Sequence, residues 1–222
     1  MFPLQGSRGL TDHHGPFLYS VVCASGVADG VGELIAAAQA EGWKVGVIAT
    51  PNALGLLDQA AVERQTGYPI RSAWRTPGSP RPLPPADAIA VVSATFNTIN
   101  KWALGIADTL ALAILCEAYG QGIPTAVQPY LNSALAAHPA YTESLARLRA
   151  MDVLIGDYVP HPPDSGGGRD TYSWTNVLDL LRPVVRPRQG PWAVGRDTPP
   201  TAAQRSGGSP ADETPDKAAL DV

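Results

Sequence analysis

Short apolar runs alternate with amphipathic stretches along most of this chain. Five runs have the length and the flanking polar or glycine residues that are typical of buried strands; they are residues 17–24, 44–49, 88–92, 124–128 and 153–155. Apolar residues recur at helical spacing between them, over 34–40, 54–62, 99–114, 140–150 and 174–181. Strands that alternate with helices predict an α/β fold with a parallel, doubly wound sheet.

The central part of the pattern is the strand Ala88 to Val92, the polar turn Ser93 to Thr98, and the apolar positions that follow. Those positions, from Ile99 through Ile106 to Ile114, predict one helix. In open α/β sheets, ligands bind beyond the carboxyl ends of the strands, and the N-terminus of the next helix offers backbone N–H groups to an anion. The sequence therefore predicts a ligand site at this turn.

The two ends of the chain differ from its middle. Residues 1–16 are polar with no periodicity, and we expect a flexible N-terminal arm. Residues 183–222 are rich in Pro, Gly and Ser with few large apolar residues, which predicts a disordered tail. The folded domain should thus span residues 17–182. Within it, the proline-rich stretch 68–85 is a long loop that is either functional or disordered.

Charge and composition exclude several classes of protein. Among 222 residues, 16 basic against 20 acidic side chains give a net charge of −4 with no basic stripe, which argues against nucleic-acid binding. No segment approaches the ~20 continuous apolar residues of a membrane span. Cys23 and Cys116 lie inside apolar segments, which indicates a reduced, cytoplasmic protein.

Candidate chemistry outside the central turn is sparse. Ser25 and Gly26 follow the first strand; the glycine spacing differs from the dinucleotide fingerprint, but this turn either cradles one phosphate or is a tight turn that only glycine fits. His138 is expected to cap or pack at a helix start, and His161 to be an inert loop residue between prolines. The adjacent pair His13 and His14 has no further ligands in sight, so no metal site is expected.

Two motifs carry a family resemblance. Residues 93–101, S-A-T-F-N-T-I-N-K, followed by G-I-A-D at 105–108, resemble the signature of the homo-oligomeric flavin-containing cysteine decarboxylases, although Ser93 stands where that signature has proline. This family includes phosphopantothenoylcysteine decarboxylase and the peptidyl-cysteine decarboxylases. Residues 129–135, P-Y-L-N-S-A-L, are similar to its substrate-recognition motif. The resemblance covers residues 17–181.

The resemblance implies a Rossmann-like (flavodoxin-like) three-layer sandwich that binds FMN near the interface of a homotrimer or a multiple of trimers. By position, Ser25, Gly26 and Thr50 would meet the FMN phosphate. The central loop would approach the flavin through Ser93, Ala94, Thr95, Asn97 and Thr98. In the alternative interpretation, Asn97 and Thr98 only cap the following helix.

The chain also departs from the family pattern. The position of the family's catalytic histidine falls at Ser79, and no histidine occurs between His14 and His138. Arg75 and Arg81, on either side of Ser79, stay protonated and cannot act as bases, but they could bind a carboxylate.

In the second motif, Leu131 and Leu135 replace methionines, which predicts a pocket with a different shape. Asn132, which contacts the substrate carboxylate in the family, is kept.

The resemblance implies an FMN-dependent decarboxylase that acts on a cysteine-derived or related carboxylic acid, either a small thiol or the C-terminus of a peptide. Two alternatives remain at this point. One is an FMN-binding protein that does not decarboxylate and has a regulatory or partner-binding role. The other is an enzyme related to the flavin prenyltransferases, which share the fold and an early Ser-Gly.

Overall fold

The computed structural model describes residues 15–163 and 167–185, and its centre is a parallel sheet of five strands. The strands are β1 (Phe17–Val22), β2 (Lys44–Ala49), β3 (Ala88–Ala94), β4 (Thr125–Pro129) and β5 (Leu154–Ile155). They lie in the order β2-β1-β3-β4-β5, and every neighbouring pair is parallel. This is the flavodoxin-like order, so the predicted Rossmann-like α/β class is confirmed.

Helices cover both faces of the sheet. They are α1 (Val31–Ala40), α2 (Gln59–Thr66), α3 (Phe96–Ala103), α4 (Leu110–Gln121), α5 (Ser133–Ala136), α6 (Pro139–Ala150) and α7 (Asn176–Leu181). Apolar side chains of α1, α2 and α7 share one buried cluster with the sheet, and those of α3, α4 and α6 share the other. The result is the three-layer sandwich.

The strands form continuous apolar runs because both of their faces are covered. All seven residues of β3 are buried. Ile89 and Val91 pack into the cluster with α3 and α4, whereas Ala90 and Val92 pack into the cluster with α1 and α7. Alternate residues of one strand therefore build two separate cores.

The prediction of one helix from Ile99 to Ile114 is wrong, because the structure has two helices there. Helix α3 ends at Ala103, and Gly105 follows with φ +71°, a conformation that suits glycine. The segment 104–109 then leads to α4, whose N-cap Thr109 accepts a hydrogen bond from the Leu112 N–H at 3.3 Å. Ile106 continues the helical spacing, but it lies in this connection and is 40% exposed.

The helix predicted over 54–62 is also interrupted. A short 3₁₀ helix, Pro51–Leu56, precedes α2, and the Asp58 carboxylate caps α2 by accepting the Ala61 N–H at 2.9 Å. An N-cap residue has non-helical backbone angles, so Asp58 separates the two helices. The stretch 68–85 has no helix or strand, as expected, and contributes a single bridge between Arg71 and Ile48.

The expected N-terminal arm (1–16) and C-terminal tail (183–222) fall almost entirely outside the described residues. Within the described part of the chain, none of the helices has the length and apolar character needed to cross a membrane.

Candidate functional site

A cavity of about 750 Å³ opens at the carboxyl ends of the strands. Its wall contains residues that follow β1, β2, β3 and β4, and the strand order changes direction between β1 and β3, where ligands bind in such sheets. The wall is formed by Ala24, Ser25, Thr50, Pro51, Asn52, Thr95, Phe96, Asn97, Thr98, Lys101, Thr109, Leu112, Tyr130, Leu131, Asn132, Leu135 and His161.

Two helix N-termini meet at this cavity. Thr95 is the N-cap of α3 and Thr109 the N-cap of α4, and both line the wall. Backbone N–H groups at such ends lack partners within the helix and carry a partial positive charge. The cavity is therefore suited to an anionic group.

The first turn of α3 shows which side chain caps it. The Thr95 hydroxyl accepts the Thr98 N–H at 3.4 Å, and the two threonine hydroxyls lie 3.1 Å apart. Asn97 is exposed on the cavity wall. The capping group is thus Thr95, which leaves the Asn97 amide facing the cavity.

Ser93 and Ala94, at the end of β3, are fully buried and do not belong to the cavity wall, which begins at Thr95. Ser93 has φ +49°, its hydroxyl donates to the Cys23 carbonyl at 3.2 Å, and its N–H donates to the Tyr172 hydroxyl at 2.5 Å. These bonds hold the end of β3 directly before the turn that lines the cavity.

The phosphate candidates follow β1 and β2. Ser25 and Thr50 line the cavity, and Gly26 is adjacent. A Cβ atom on Gly26 would lie 3.6 Å from the Tyr130 hydroxyl, which is ordinary contact. The Gly26 carbonyl accepts a hydrogen bond from Arg169 at 2.7 Å, so a residue near the C-terminal end of the domain fixes this turn.

Arg75 and Arg81 are not brought to the cavity wall. The Arg75 guanidinium donates to the Ser79 carbonyl at 2.5 Å, within its own loop. Arg81 lies near Tyr19, in the first half of β1, where its charge partly offsets the burial that raises the pKa of the Tyr19 hydroxyl. Within one chain, neither arginine faces the other candidate residues.

Asn132 lines the cavity, and the oxygen of its amide already accepts a hydrogen bond. It is the N-cap of α5, and its Oδ1 accepts the Leu135 N–H at 2.9 Å. The capping bond fixes the orientation of the amide, which leaves the Nδ2 group as a hydrogen-bond donor for a ligand. That is the group that a carboxylate requires.

His161, which we expected to be an inert loop residue, is a part of the cavity wall. It pairs with Asn132 in an isolated parallel bridge, and its carbonyl accepts the Ser133 N–H at 2.8 Å. One sequence signal could have found it: His161 follows the last strand, β5, whose carboxyl end lies at the same edge of the sheet.

An aromatic cluster lies beside the cavity. Tyr130 packs against Tyr158, His161 and Tyr172 with ring centroids 4.9–5.9 Å apart, and Tyr172 packs edge-on against Trp174 at 5.0 Å. Burial raises the pKa of the Tyr130, Tyr158 and Tyr172 hydroxyls. These hydroxyls therefore stay neutral at physiological pH.

One cation reaches the cavity wall from α3. Lys101 pairs with Asp108 at 2.5 Å, and both side chains are partly exposed. The pair joins α3 to the segment before α4 and links the two halves of the first sequence motif. Its contribution to stability is small, because solvent screens partly exposed ion pairs.

The cavity suits a flavin nucleotide in size and in chemistry. Its volume lies within the roughly 300–1,000 Å³ that is usual for cofactor sites. The donors a phosphate prefers are the Ser25 and Thr50 hydroxyls and the N-termini of α3 and α4, while the Asn97 amide and the Leu112 and Leu131 side chains offer polar and apolar contacts to a ring system.

Comparison with known proteins agrees with this geometry. The model of the family described as Flavoprotein matches residues 20–185. Among curated proteins, the coenzyme A biosynthesis bifunctional protein CoaBC of Thermococcus kodakarensis is 34% identical over 68 residues. Those residues are 31% of this chain but only 17% of that protein.

Solved structures share the fold at low identity. A cysteine-to-serine mutant of PPC decarboxylase complexed with pantothenoylaminoethenethiol has a TM-score of 0.63 and 20% identity, covering 75% of this chain and 96% of its own. The FMN-binding protein AtHal3 gives 0.59 and 19%, covering 75% and 95%. The FMN-dependent cysteine decarboxylase SpaF gives 0.56 and 21%, covering 76% and 98%.

Proposed function

Because the chain belongs to the Flavoprotein family, we propose that it binds FMN in the cavity and decarboxylates a cysteine-derived or related carboxylic acid. The observation that carries the proposal is the position of Asn132: its capped amide presents a donor to a cavity at the switch point of a flavodoxin-like sheet. A carboxylate bound there lies in the same cavity as the cofactor.

The residues for FMN follow from the wall of the cavity. Ser25, Gly26 and Thr50 would hold the phosphate, and Thr95, Asn97 and Thr98 would contact the rest of the cofactor. Ser93 and Ala94, which are buried, directly precede Thr95. When bound, FMN would supply a two-electron acceptor for oxidation of the carbon bearing the thiol to a thioaldehyde, whose C=S group could accept the electron pair left on carbon when carbon dioxide departs.

The chain's own residues orient the substrate. The Asn132 Nδ2 group binds the carboxylate, and the aromatic cluster excludes water from one side of the cavity. Leu131 is buried whereas Leu135 is 40% exposed, so the two leucines that replace methionines shape different parts of the site. The substrate is a small thiol or the C-terminus of a peptide.

The active form is proposed to be a homotrimer, or a multiple of trimers, in the cytoplasm. Support comes from Leu104 and Ile106, which are 58% and 40% exposed in the connection between α3 and α4. Apolar side chains that are exposed together mark candidate interaction surfaces. If Arg75 or Arg81 binds substrate at all, it does so in such an assembly, because neither reaches the cavity of its own chain.

A second candidate is an FMN-binding protein that acts through a partner without decarboxylation. It is favoured by Ser79, which stands at the position of the family's histidine, and by the orientation of Arg75 towards its own loop. Of the structural neighbours, AtHal3 is described only as an FMN-binding protein.

The proposal is tested by recording the flavin absorbance of the purified full chain. Peptides with a C-terminal cysteine, or phosphopantothenoylcysteine, are then added without oxygen. Bleaching of bound FMN together with a product lighter by one carbon dioxide and two hydrogen atoms supports the decarboxylase, because without oxygen the two electrons stay on the flavin.

Three other results would count against it. Bound FMN that no thiol carboxylate bleaches favours the partner-binding protein. Transfer of a prenyl group to reduced FMN identifies a prenyltransferase. Failure to bind added FMN contradicts every one of these functions.

A further inference from the structure

The Tyr158 hydroxyl lies between two hydrogen-bond partners. It is 3.1 Å from the Leu131 carbonyl oxygen and 2.8 Å from Nδ1 of His161. A carbonyl oxygen only accepts, and a hydroxyl has one hydrogen to donate. The Tyr158 hydrogen therefore points to Leu131.

This arrangement determines which nitrogen of the His161 imidazole carries the hydrogen. With its hydrogen donated to Leu131, the Tyr158 oxygen has only lone pairs to offer His161, so Nδ1 must be the nitrogen that carries hydrogen. In a neutral ring the other nitrogen, Nε2, is then an acceptor. The hydrogen bond at one nitrogen determines the chemistry of the other.

Gly167 is a neighbour of Nε2. A Cβ atom built on Gly167 would lie 3.5 Å from Nε2, an ordinary contact distance, but would overlap the Tyr130 hydroxyl, so the glycine leaves room for Tyr130 beside the ring. The ring itself packs on Tyr130 with centroids 4.9 Å apart. Its position is thus determined on one face by Tyr130 and at Nδ1 by Tyr158.

The backbone fixes the imidazole relative to the carboxylate donor. Asn132 and His161 are partners in a parallel bridge, and the Ser133 N–H donates to the His161 carbonyl at 2.8 Å. Both side chains line the same cavity. A ligand whose carboxylate is bound by Asn132 therefore lies close to His161.

We propose that Nε2 of His161 is the proton acceptor for the substrate's thiol and that Tyr158 is the residue that positions it; this rests on the proposed function. In the step, the S–H bond breaks and an Nε2–H bond forms, giving a thiolate and an imidazolium, with no change in oxidation state. The thiolate is the form from which two electrons are then withdrawn.

Other groups near the cavity are poorer acceptors. His138 uses Nδ1 to accept the Ala140 N–H and is not part of the cavity wall. Tyr130 and Tyr158, which face His161, are neutral, and the nearby cations Lys101 and Arg169 are paired with Asp108 and Asp29.

The tautomer is tested first, without cofactor or turnover. Full-length protein labelled with ¹⁵N at histidine is examined by NMR, and the His161 signals are assigned by their absence in His161→Gln. At a pH where the ring is neutral, we expect hydrogen on Nδ1 and none on Nε2. In Tyr158→Phe the acceptor for Nδ1–H is lost, and the hydrogen should shift towards Nε2. A neutral wild-type ring with hydrogen on Nε2 would overturn the inference.

The second test measures anaerobic reduction of bound FMN by a C-terminal cysteine peptide. His161→Gln should reduce its FMN roughly 100- to 10,000-fold more slowly than wild type. The rate should recover as the pH rises past the thiol pKa of about 8.5, because the substrate then ionises without a base. His138→Asn keeps a good capping residue and should leave the rate unchanged.

The outcomes separate the inference from the function on which it rests. Rates for His161→Gln within threefold of wild type contradict the inference while leaving the decarboxylase intact. If wild type binds FMN but no thiol reduces it, the proposed function fails and with it the role of His161 towards the thiol, whereas the NMR result still decides whether Nε2 is the nitrogen without hydrogen.

Discussion

The hydroxyl oxygen of Tyr172 accepts the backbone N–H of Ser93 at 2.5 Å, joining residues that lie 79 positions apart. Ser93 is fully buried and lies where the pairing of β3 with β4 shifts register. The bond therefore supplies a partner to an N–H group that the irregular end of the strand leaves without a ladder bond. A side chain from the segment before α7 thus supports the end of β3, two residues before the cavity wall begins at Thr95.

Replacement of Tyr172 by phenylalanine should destabilise the fold without changing its shape. The Ser93 N–H would be left buried without an acceptor, which costs about 1–3 kcal/mol. Urea denaturation measures the loss, and Tyr119→Phe is the control because Tyr119 is 61% exposed and should change the stability by less than about 0.5 kcal/mol. Equal stabilities of the two variants would show that the Tyr172 bond is not formed.

A proline at position 93 should be poorly tolerated, although the resembling family signature has one there. Ser93 has φ +49°, whereas proline fixes φ near −65° and lacks the N–H that Tyr172 accepts. We expect Ser93→Pro to lose about 3 kcal/mol or more, or not to fold. Ser93→Gly, which adopts positive φ freely, should stay within about 1 kcal/mol of wild type. A Ser93→Pro protein as stable as the glycine variant would refute this backbone geometry.

Substitutions of Asn132 should separate capping from ligand binding. Asn132→Asp keeps an N-cap acceptor for the Leu135 N–H but replaces the Nδ2 donor with a negative charge, whereas Asn132→Ala removes both. The alanine variant should lose about 1 kcal/mol of stability and the aspartate variant almost none. Both should bind FMN normally and a thiol carboxylate roughly 10- to 100-fold more weakly, as followed by perturbation of the flavin spectrum. Wild-type affinity in Asn132→Asp would exclude Asn132 as the carboxylate donor.

Cys23 should make the stability of the protein fall in alkaline solution. Burial raises the pKa of its thiol from 9.0 to about 11, although hydrogen bonds with Thr98 and Thr95 act in the opposite direction. Between these two values the unfolded chain has lost the proton and the folded chain retains it, so the free energy of unfolding decreases as the pH rises. The expected slope is about 1.4 kcal/mol per pH unit.

The measurement is urea denaturation from pH 8 to 11 for wild type, Cys23→Ala and Cys116→Ala. In the Cys23 variant, the decrease in the free energy of unfolding that comes from ionisation of Cys23 should be absent. Ionisation of tyrosines affects all three proteins alike. Cys116 is only partly buried, so its variant should keep most of the wild-type slope. Identical slopes for wild type and Cys23→Ala would mean that Cys23 ionises as readily in the folded protein as in the unfolded chain.

The sheet could be predicted from the sequence because strands covered on both faces consist of uninterrupted apolar residues. The interruptions of the two predicted helices, over 54–62 and 99–114, could not be predicted in this way. Ile106 falls at helical spacing between Trp102 and Leu110, and only the positive φ of Gly105 and the exposure of Leu104 show that the helix has ended. The spacing of apolar residues shows which positions can share one face of a helix, but it does not show whether a single unbroken helix connects them.

The sequence motifs and the family resemblance predicted only part of the candidate site. Asn132 and the turn before α3 were found, whereas His161 was missed because its surroundings, Pro160 and Pro162, indicate an ordinary loop. Its contact with Tyr158 is local, but its position beside Asn132 depends on how β4 and β5 align in the sheet. Such a pairing is a property of the tertiary structure.

The wall of the cavity is assembled from separate pieces of the chain: residues 24–25, 50–52, 95–101, 109–112, 130–135 and 161. No single segment of the domain contains the complete binding surface. A ligand therefore binds only when the sheet that brings these segments together has formed. Ligand affinity is then coupled to global unfolding: a ligand at 100 times its Kd would add about 2.7 kcal/mol to the stability of the domain. Amide hydrogens in β2, far along the sheet from His161, should exchange more slowly when the cavity is filled, even though most of them never approach the ligand.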